Sequence, residues 1–304
     1  MKTGLVIQST GKWYIVISNG DEIECRLPGR FRLQEQAVTN PVAVGDKVDI
    51  SMTEDGFGVI EDVQERNNYI PRQATHSKRG EQILVANVDC AWAVVSVRKP
   101  KLKTGFIDRF LVTCEAYQVT PSVIINKTDL ATPKDLGFLE EITGLYRELG
   151  YRLLLTSLND SESLEELTRH LNDKISVFIG PSGAGKTSLL NAIDSNLDLK
   201  VGKISDYSNK GRHTTTYARL VKLNTGGFVA DTPGIRELGL VNIEPYELSL
   251  FYPEMRSPRQ KCKFYNCTHS HEPDCAVVDA FDQGAIHPER YNSYLNILDS
   301  LAEE

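Results

Sequence analysis

Apolar and polar positions fall into three regimes along the chain. Over residues 1–68 they alternate in short runs. Tyr14-Ile15-Val16-Ile17 leads through Asn19-Gly20 to Ile23-Glu24-Cys25-Arg26-Leu27. An Asn-Gly pair between two such runs is the hairpin signal, because both residues tolerate the positive φ that the tight turn demands. Val42 to Ile50, and Asp55-Gly56 followed by Phe57 to Ile60, add further turns and strands. Five or so short strands in so small a unit predict a closed β-barrel of the oligonucleotide-binding (OB) type, with a ligand-free barrel as the plainer alternative. Periodicity then lapses. Residues 66–81 carry Arg66, Arg72, His76, Lys78 and Arg79 without a repeating apolar position, and residues 69–84 are expected to be a basic linker.

From residue 85 apolar strand-length runs alternate with amphipathic stretches. Ala91–Val97, Val123–Ile125, Arg152–Leu155, Ile175–Ile179, Tyr217–Leu223 and Phe228–Ala230 read as strands. Ile107, Phe110, Leu111 and Cys114 share one helical face, and Leu139 to Leu149 form another helix closed by Gly150. Ser163 to Leu171 reads as a helix opened by a Ser163/Glu166 capping box. Alternation of this kind predicts a doubly wound, parallel-type α/β sheet over 85–240, with ligands at the carboxyl ends of its strands. The remaining stretch, 241–304, closes on a helix over His287–Leu301.

Composition narrows the class only modestly. The 304 residues are 40% hydrophobic and 25% charged, as in ordinary globular proteins. No run is long enough to span a membrane, and the first residues lack a signal-peptide core. Three of the six cysteines crowd between Cys262 and Cys275, unlike a disulfide frame, so a reducing cytoplasm is expected. A monomeric chain is also expected, on no motif of its own. The net charge of −7 argues against non-specific coating of nucleic acid but leaves room for a local basic face.

Gly180-Pro181-Ser182-Gly183-Ala184-Gly185-Lys186-Thr187-Ser188 carries the most specific chemistry. It lies between a strand and a helix with the G-x-x-x-x-G-K-[ST] spacing of a phosphate-binding loop. Its glycines let several backbone N–H groups converge on one anion at a helix N-terminus. Lys186 can reach the β- and γ-phosphates, and the Thr187 hydroxyl can ligate Mg²⁺. Asn126-Lys127-Thr128-Asp129 ends another strand, where a carboxylate can accept from both N1–H and the exocyclic amine of guanine. Adenine lacks that donor pair and would leave the carboxylate unpaired. Ser157 and Leu158 follow at the end of the next strand. Asp231-Thr232-Pro233-Gly234 ends a fourth, where Asp231 can hold the Mg²⁺ shell, directly or through water, and the Gly234 N–H can approach the γ-phosphate. Gly211-Arg212-His213-Thr214-Thr215-Thr216 lies in a polar stretch that reads as a switch, with Thr215 among the expected nucleotide contacts. A single such turn means little. Four at the ends of strands of one sheet point to a GTP site.

The motifs occur in permuted order: N-K-T-D and T-S-L precede the glycine loop, the threonines and D-T-P-G. A chain cut after the D-x-x-G strand can keep the same sheet. In this order, and in its G-R-H-T-T-T run, the sequence resembles the ribosome small subunit-dependent GTPase A family of circularly permuted GTPases. The resemblance spans nearly the whole chain and implies three units. These are an OB-type barrel, a permuted P-loop GTPase domain and a small α-rich zinc domain over 241–304. It also implies a GTP hydrolase stimulated by the 30S subunit in late small-subunit maturation, contacting 16S rRNA through barrel and zinc domain.

Cys262-x₄-Cys267-x-His269-x₅-Cys275 offers three thiolates and an imidazole, the donor set of a closed tetrahedral Zn²⁺ site, at an uncommon spacing. His271 is a rival to His269; the family's ligand order selects His269. Arg256, Arg259, Lys261 and Lys263 with Phe264 and Tyr265 would suit RNA or cover a partner protein. For chemistry, Lys186, Thr187 with Mg²⁺ and the loop amides neutralise charge, whereas Ile235 stands where many GTPases place a water-orienting glutamine. Hydrolysis is therefore expected to be slow without help. His213 reads equally as a catalytic group or a partner contact, and the resemblance implies the catalytic role. A nucleotide-switched RNA- or ribosome-binding module with negligible hydrolysis is the alternative. Because Ile235 to Leu240 leads into the metal segment, a γ-phosphate-dependent shift at Gly234 is expected to pull on it.

Overall fold

The structure, a computed structural model, describes residues 1–32, 40–73, 81–197, 218–231, 240 and 243–302. The first five strands are β1 (Lys2–Ser9), β2 (Trp13–Ser18), β3 (Asp21–Arg26), β4 (Lys47–Met52) and β5 (Gly58–Val63). They run in the order β1-β2-β3-β5-β4, and β4 pairs back onto β1 (Lys2↔Ile50, Leu5↔Lys47), closing the barrel that the alternation predicts. Val6, Tyr14, Val16, Ile23, Cys25, Val48, Ile50 and Ile60 point inward as its core. Gly58 is required where β3 meets β5: a Cβ there would lie 2.4 Å from the Cys25 sulfur.

Both ends of the expected linker are strands. β6 (Tyr69–Gln73) and β7 (Glu81–Ala86) pair antiparallel as a two-stranded ribbon. Arg66 is engaged as well. Its guanidinium bonds both carboxylate oxygens of the fully buried Asp46, at 2.7 and 2.8 Å, and the Pro41 carbonyl. This cation braces the barrel and is not offered to a phosphate. The segment's lack of periodicity reflects a short two-stranded ribbon, whose pairing leaves little pattern in either strand alone.

The second sheet contains β8 (Cys90–Ser96), β9 (Pro121–Asn126), β10 (Arg152–Thr156), β11 (Ile175–Ile179), β12 (Ala218–Lys222) and β13 (Phe228–Asp231). Their order is β10-β9-β8-β11-β13-β12; the first five are parallel and β12 is antiparallel. Four helices cover it: α1 (Thr104–Ala116), α2 (Pro133–Glu148), α3 (Ser161–Leu171) and α4 (Lys186–Ile193). Every residue of β8 is buried, as a central parallel strand requires. Ala91, Ala93 and Val95 pack with Ile107, Phe110 and Leu111 of α1 and Ile142 and Tyr146 of α2. Trp92 and Val94 face the opposite layer, with Leu167 and Leu171 of α3 and Leu189 and Leu190 of α4. The sheet is thus doubly wound as predicted.

One helix start differs. α3 begins at Ser161, capped by Asp160, whose carboxylate accepts from the Glu162 and Ser163 amides; Ser163 is inside the first turn rather than the cap. Asp160 is as good an N-cap as serine, and it precedes the apolar periodicity by one more turn.

The two sheets are continuous. β1 pairs antiparallel with β12 through Gln8↔Arg219 and Ser9↔Ala218, so the barrel is hydrogen-bonded to the edge of the parallel sheet.

The C-terminal stretch folds as 3₁₀ turns over Pro245–Phe251 and Pro253–Met255, then α5 (Arg256–Arg259), α6 (Ala276–Asp282) and α7 (Pro288–Ala302). Its core of Leu248, Tyr252, Met255, Val277, Ile286, Tyr291, Tyr294 and Ile297 includes Val112 on the outer side of α1. Beneath it lies a buried charge network. Arg290, 1% exposed, pairs with fully buried Asp108 of α1 and with Glu254 at 2.7 Å. The Tyr146 hydroxyl donates to Asp108 at 2.7 Å, and the Arg290 guanidinium lies 4.4 Å from the Tyr252 ring centre. Burial pushes the Asp108 carboxyl up, and the adjacent Arg290 opposes that shift.

Candidate nucleotide site and cysteine cluster

Strands β8, β9, β10, β11 and β13 run parallel, so their carboxyl ends open on one edge, where the predicted motifs meet. The loop Gly180 to Gly185 leaves β11 and enters α4 at Lys186. A Cβ on Gly180 would stand 2.0 Å from the Val94 carbonyl of β8, so only glycine fits where the loop crosses the neighbouring strand. Gly185 has φ +100, and a Cβ there would lie 2.3 Å from Asn126 Nδ2. Lys186 and Thr187 are buried in the first turn of α4. The Lys186 ammonium donates to the Gly180 and Pro181 carbonyls at 2.7 and 3.1 Å, folding its charge back over the loop that a phosphate would enter.

The guanine motif is tied to that loop. Asn126, ending β9, donates from its amide to the Ala184 carbonyl at 2.9 Å and accepts from the Thr156 hydroxyl of β10 at 3.0 Å. One side chain therefore fixes two strand ends and the phosphate loop relative to one another. Lys127, in the left-handed region at φ 61, extends its ammonium to the carbonyls of Gly183 and Lys99. The Thr128 hydroxyl donates to the Thr156 carbonyl at 3.2 Å. Asp129 is exposed, and the Ser157 hydroxyl donates to its carboxylate at 2.7 Å, aiming it across the strand ends. Leu158 is exposed beside it. Sequence reasoning missed the part played by Thr156, whose hydroxyl holds Asn126; its place as the last residue of β10 is the signal that could have found it.

Asp231 ends β13, next to β11, and forms an ion pair with Arg219 across the β12–β13 ladder at 3.3 Å. Its carboxylate, at the end of β13, and the Thr187 hydroxyl, in the first turn of α4 after the neighbouring strand β11, are hard oxygen donors, the ligand chemistry Mg²⁺ favours. His213, Thr214, Thr215, Thr216, Tyr217, Gly234 and Ile235 lie outside the described residues.

The second candidate centre lies in the C-terminal unit. The donor atoms of Cys262, Cys267, His269 and Cys275 all lie within 4.8 Å of one another. Cys262 and Cys267 sulfurs are 3.9 and 3.7 Å from that of Cys275, and His269 Nδ1 is 3.3 Å from Cys275 and 3.5 Å from Cys262. His269 is buried at φ 56, with Nε2 3.0 Å from the Ser249 hydroxyl; His271 is exposed and bonds Ser270 instead. The open choice between the two histidines is thus resolved by position. Ser249, the group behind the imidazole, had no signal in the sequence. Burial pushes the Cys267 thiol up to about 12 and the His269 imidazole down to about 4. Without a cation Cys267 and Cys275 resist the thiolate form; bound metal would reverse that balance.

Comparison with known proteins agrees with this architecture. The family described as RsgA GTPase matches residues 63–241, and the RsgA N-terminal domain matches residues 3–60. The chain belongs to the RsgA GTPase family. Members of this family are hydrolases acting on GTP. A relative from Phocaeicola vulgatus named small ribosomal subunit biogenesis GTPase RsgA is 41% identical, covering 99% of this chain and 97% of its own length. The protein of that name from Flavobacterium johnsoniae is 40% identical over 98% and 93%. Among solved structures, YjeQ from Thermotoga maritima superposes with a TM-score of 0.80 at 36% identity, covering 100% of this chain and 99% of that one. YloQ, described as a circularly permuted GTPase, gives 0.77 at 31%, covering 100% and 96%. In this chain too the guanine-motif strand β9 precedes the phosphate-loop strand β11. Among the described residues no helix is long and apolar enough to cross a membrane.

Proposed function

We propose that this chain hydrolyses GTP in late maturation of the small ribosomal subunit, with the 30S particle and its 16S rRNA as the stimulating partner. The nucleotide half rests on Asn126, which ties the guanine motif to the phosphate loop through the Ala184 carbonyl, so base and phosphate recognition share one rigid edge. The ribosomal half rests on the names of the relatives. In this reading Asp129 accepts from guanine, and Asn126, Lys127, Thr128, Ser157 and Leu158 shape the base pocket. Gly180 to Ser188 hold the phosphates, with Thr215 and the Gly234 amide closing on the γ-phosphate. Lys186 leaves its resting carbonyls for phosphate oxygens, and Thr187 and Asp231 hold Mg²⁺, which neutralises charge developing on the phosphoryl group. His213 is proposed as the group that completes the site when the partner docks.

The cysteine cluster fits Zn²⁺ serving a structural role. Tetrahedral zinc with bonds of about 2.3 Å to sulfur spaces its sulfurs about 3.8 Å apart, and a disulfide would hold them near 2.0 Å. The spacings of 3.7 and 3.9 Å support the first. Cys262, Cys267 and Cys275 would supply sulfur and His269 its Nδ1, with Ser249 orienting the ring. On the same unit Tyr265 is 94% exposed and Phe264 is exposed beside it. Arg256 and Lys263 are paired with Glu115 and Asp274, while Arg259 and Lys261 have no partner among the described residues. Two available cations beside two exposed rings support contact with RNA backbone and unstacked bases. The barrel is read as OB-type and as a second rRNA contact, and the protein as a cytoplasmic monomer.

The deciding experiment is phosphate release from GTP by the protein alone and with 30S, 50S and 70S particles. We expect slow turnover alone and selective acceleration by 30S; equal rates in all four contradict the reading. A switch with negligible hydrolysis, favoured by Ile235 in place of glutamine, would bind 30S in a nucleotide-dependent way with no phosphate release. Retention of full stimulation by His213→Ala would remove that residue's role.

A further inference from the structure

Arg219 occupies the middle of a rung that crosses three strands. It is the residue directly opposite Asp231 in the β12–β13 ladder and directly opposite Gln8 in the β12–β1 ladder. Its side chain does not point to a surface carboxylate at random: Nε donates to Asp231 Oδ2 at 3.3 Å. Asp231 is the carboxylate at the carboxyl end of β13, beside the phosphate-loop strand. The guanidinium takes up one carboxylate oxygen and offsets negative charge that a hydrated divalent cation would otherwise draw on, so the two cations compete electrostatically for the same carboxylate.

We propose that Arg219 is a positioning residue that holds Asp231 while no Mg²⁺-nucleotide is present and competes with Mg²⁺ for it. This rests on the reading that Asp231 belongs to the Mg²⁺ shell. The ion pair spans a cross-strand position, where opposite charges stabilise the ladder without locking it. It keeps the strand-end carboxylate extended and paired in the empty site, in place of an uncompensated negative charge where triphosphate must enter. Entry of Mg²⁺ frees the guanidinium. Because the same rung reaches Gln8 of β1, the freed residue belongs to the strand pairing that joins the barrel to the sheet. Both side chains are partly exposed, so the pair is weak and reversible, as a competitor of a physiological ligand has to be.

The test is release of a fluorescent GDP analogue from full-length protein as Mg²⁺ is varied, for native, Arg219→Gln, Arg219→Lys and Asp231→Asn. The inference expects Arg219→Gln to lower the Mg²⁺ concentration for half-maximal slowing of release by roughly two- to fivefold, the scale of one exposed ion pair. Release at saturating Mg²⁺ should match native, and Arg219→Lys, which keeps the charge, should lie near native. A purely structural role for Arg219 would shift release at all Mg²⁺ concentrations alike. An Arg219→Gln titration superimposable on native, or one displaced to higher Mg²⁺, overturns the inference and leaves the metal assignment standing. If Asp231→Asn retains the native Mg²⁺ dependence, the metal assignment fails first and the inference with it.

Discussion

The nucleotide site and the cysteine cluster are both shaped for a ligand, yet their polar groups are satisfied in opposite ways. In the nucleotide site, each fixed group has a protein partner. Lys186 bonds Gly180 and Pro181 carbonyls, Asn126 bonds Ala184 and Thr156, Ser157 bonds Asp129, and Arg219 bonds Asp231. The bonds of Lys186 and Arg219 are the ones an incoming ligand would exchange, while the buried Asn126 bonds keep the edge in shape without nucleotide. In the cluster, three thiols and an imidazole face one another, with Ser249 behind the ring, and burial disfavours the charged forms of Cys267, Cys275 and His269. Its spacing could hold a metal ion, and a cation is what would make four such groups stable together. A ligand-exchange site is prepaired; a structural metal site is completed by its ion.

Changes on the two sides of this divide should therefore read out differently. The largest effect on stability is expected at the joint between the units. Arg290→Met leaves Asp108 and Glu254 buried without their cation, and losing one partner of such a network costs about 3–5 kcal/mol. Urea unfolding should show a loss of that size; a loss below about 1 kcal/mol would mean that the network does not bear on the attachment of the C-terminal unit to α1. A smaller free-energy change, seen in binding and not in folding, is expected at the base pocket. Asp129→Asn replaces a two-oxygen acceptor by an amide that also presents donors to guanine's own donors. GDP affinity should drop roughly ten- to hundredfold, the scale of a lost hydrogen bond to a charged group. The unfolding midpoint should barely move, because Asp129 is exposed and its Ser157 contact is local. An unchanged affinity would break the guanine assignment; a large fall in stability would blur the contrast between the sites.

The sequence carried the nucleotide site well because its chemistry is compact. Nine consecutive residues make the phosphate loop, four make the guanine motif, and each follows an apolar strand that announces where it ends. The doubly wound sheet was legible for the same reason: buried parallel strands are short apolar runs separated by helical periods. What escaped depends on pairing between distant residues. β6 and β7 are five and six residues long, and neither declares a strand without its partner. The β1–β12 rungs join residues some 210 positions apart, and no local pattern encodes them. Arg290 reads on any sequence rule as a surface residue, and its pairing with Asp108, 182 positions away, and with Glu254, 36 positions away, makes its burial tolerable. Spacing alone does not separate His269 from His271, which only the family's ligand order ranks; the left-handed turn at His269 and the Ser249 hydroxyl set them apart in space.

The contrast is tested most directly by stripping the metal and following amide hydrogen exchange with GDP bound. Structural zinc binding contributes about 10–16 kcal/mol in isolated zinc modules, more than a small C-terminal unit can replace. Chelation at neutral pH should abolish protection across residues 262–302, while residues 175–193 keep theirs and GDP affinity stays within a few-fold of native. Unchanged protection across 262–302 after verified metal loss, or simultaneous collapse of both regions, would contradict the account.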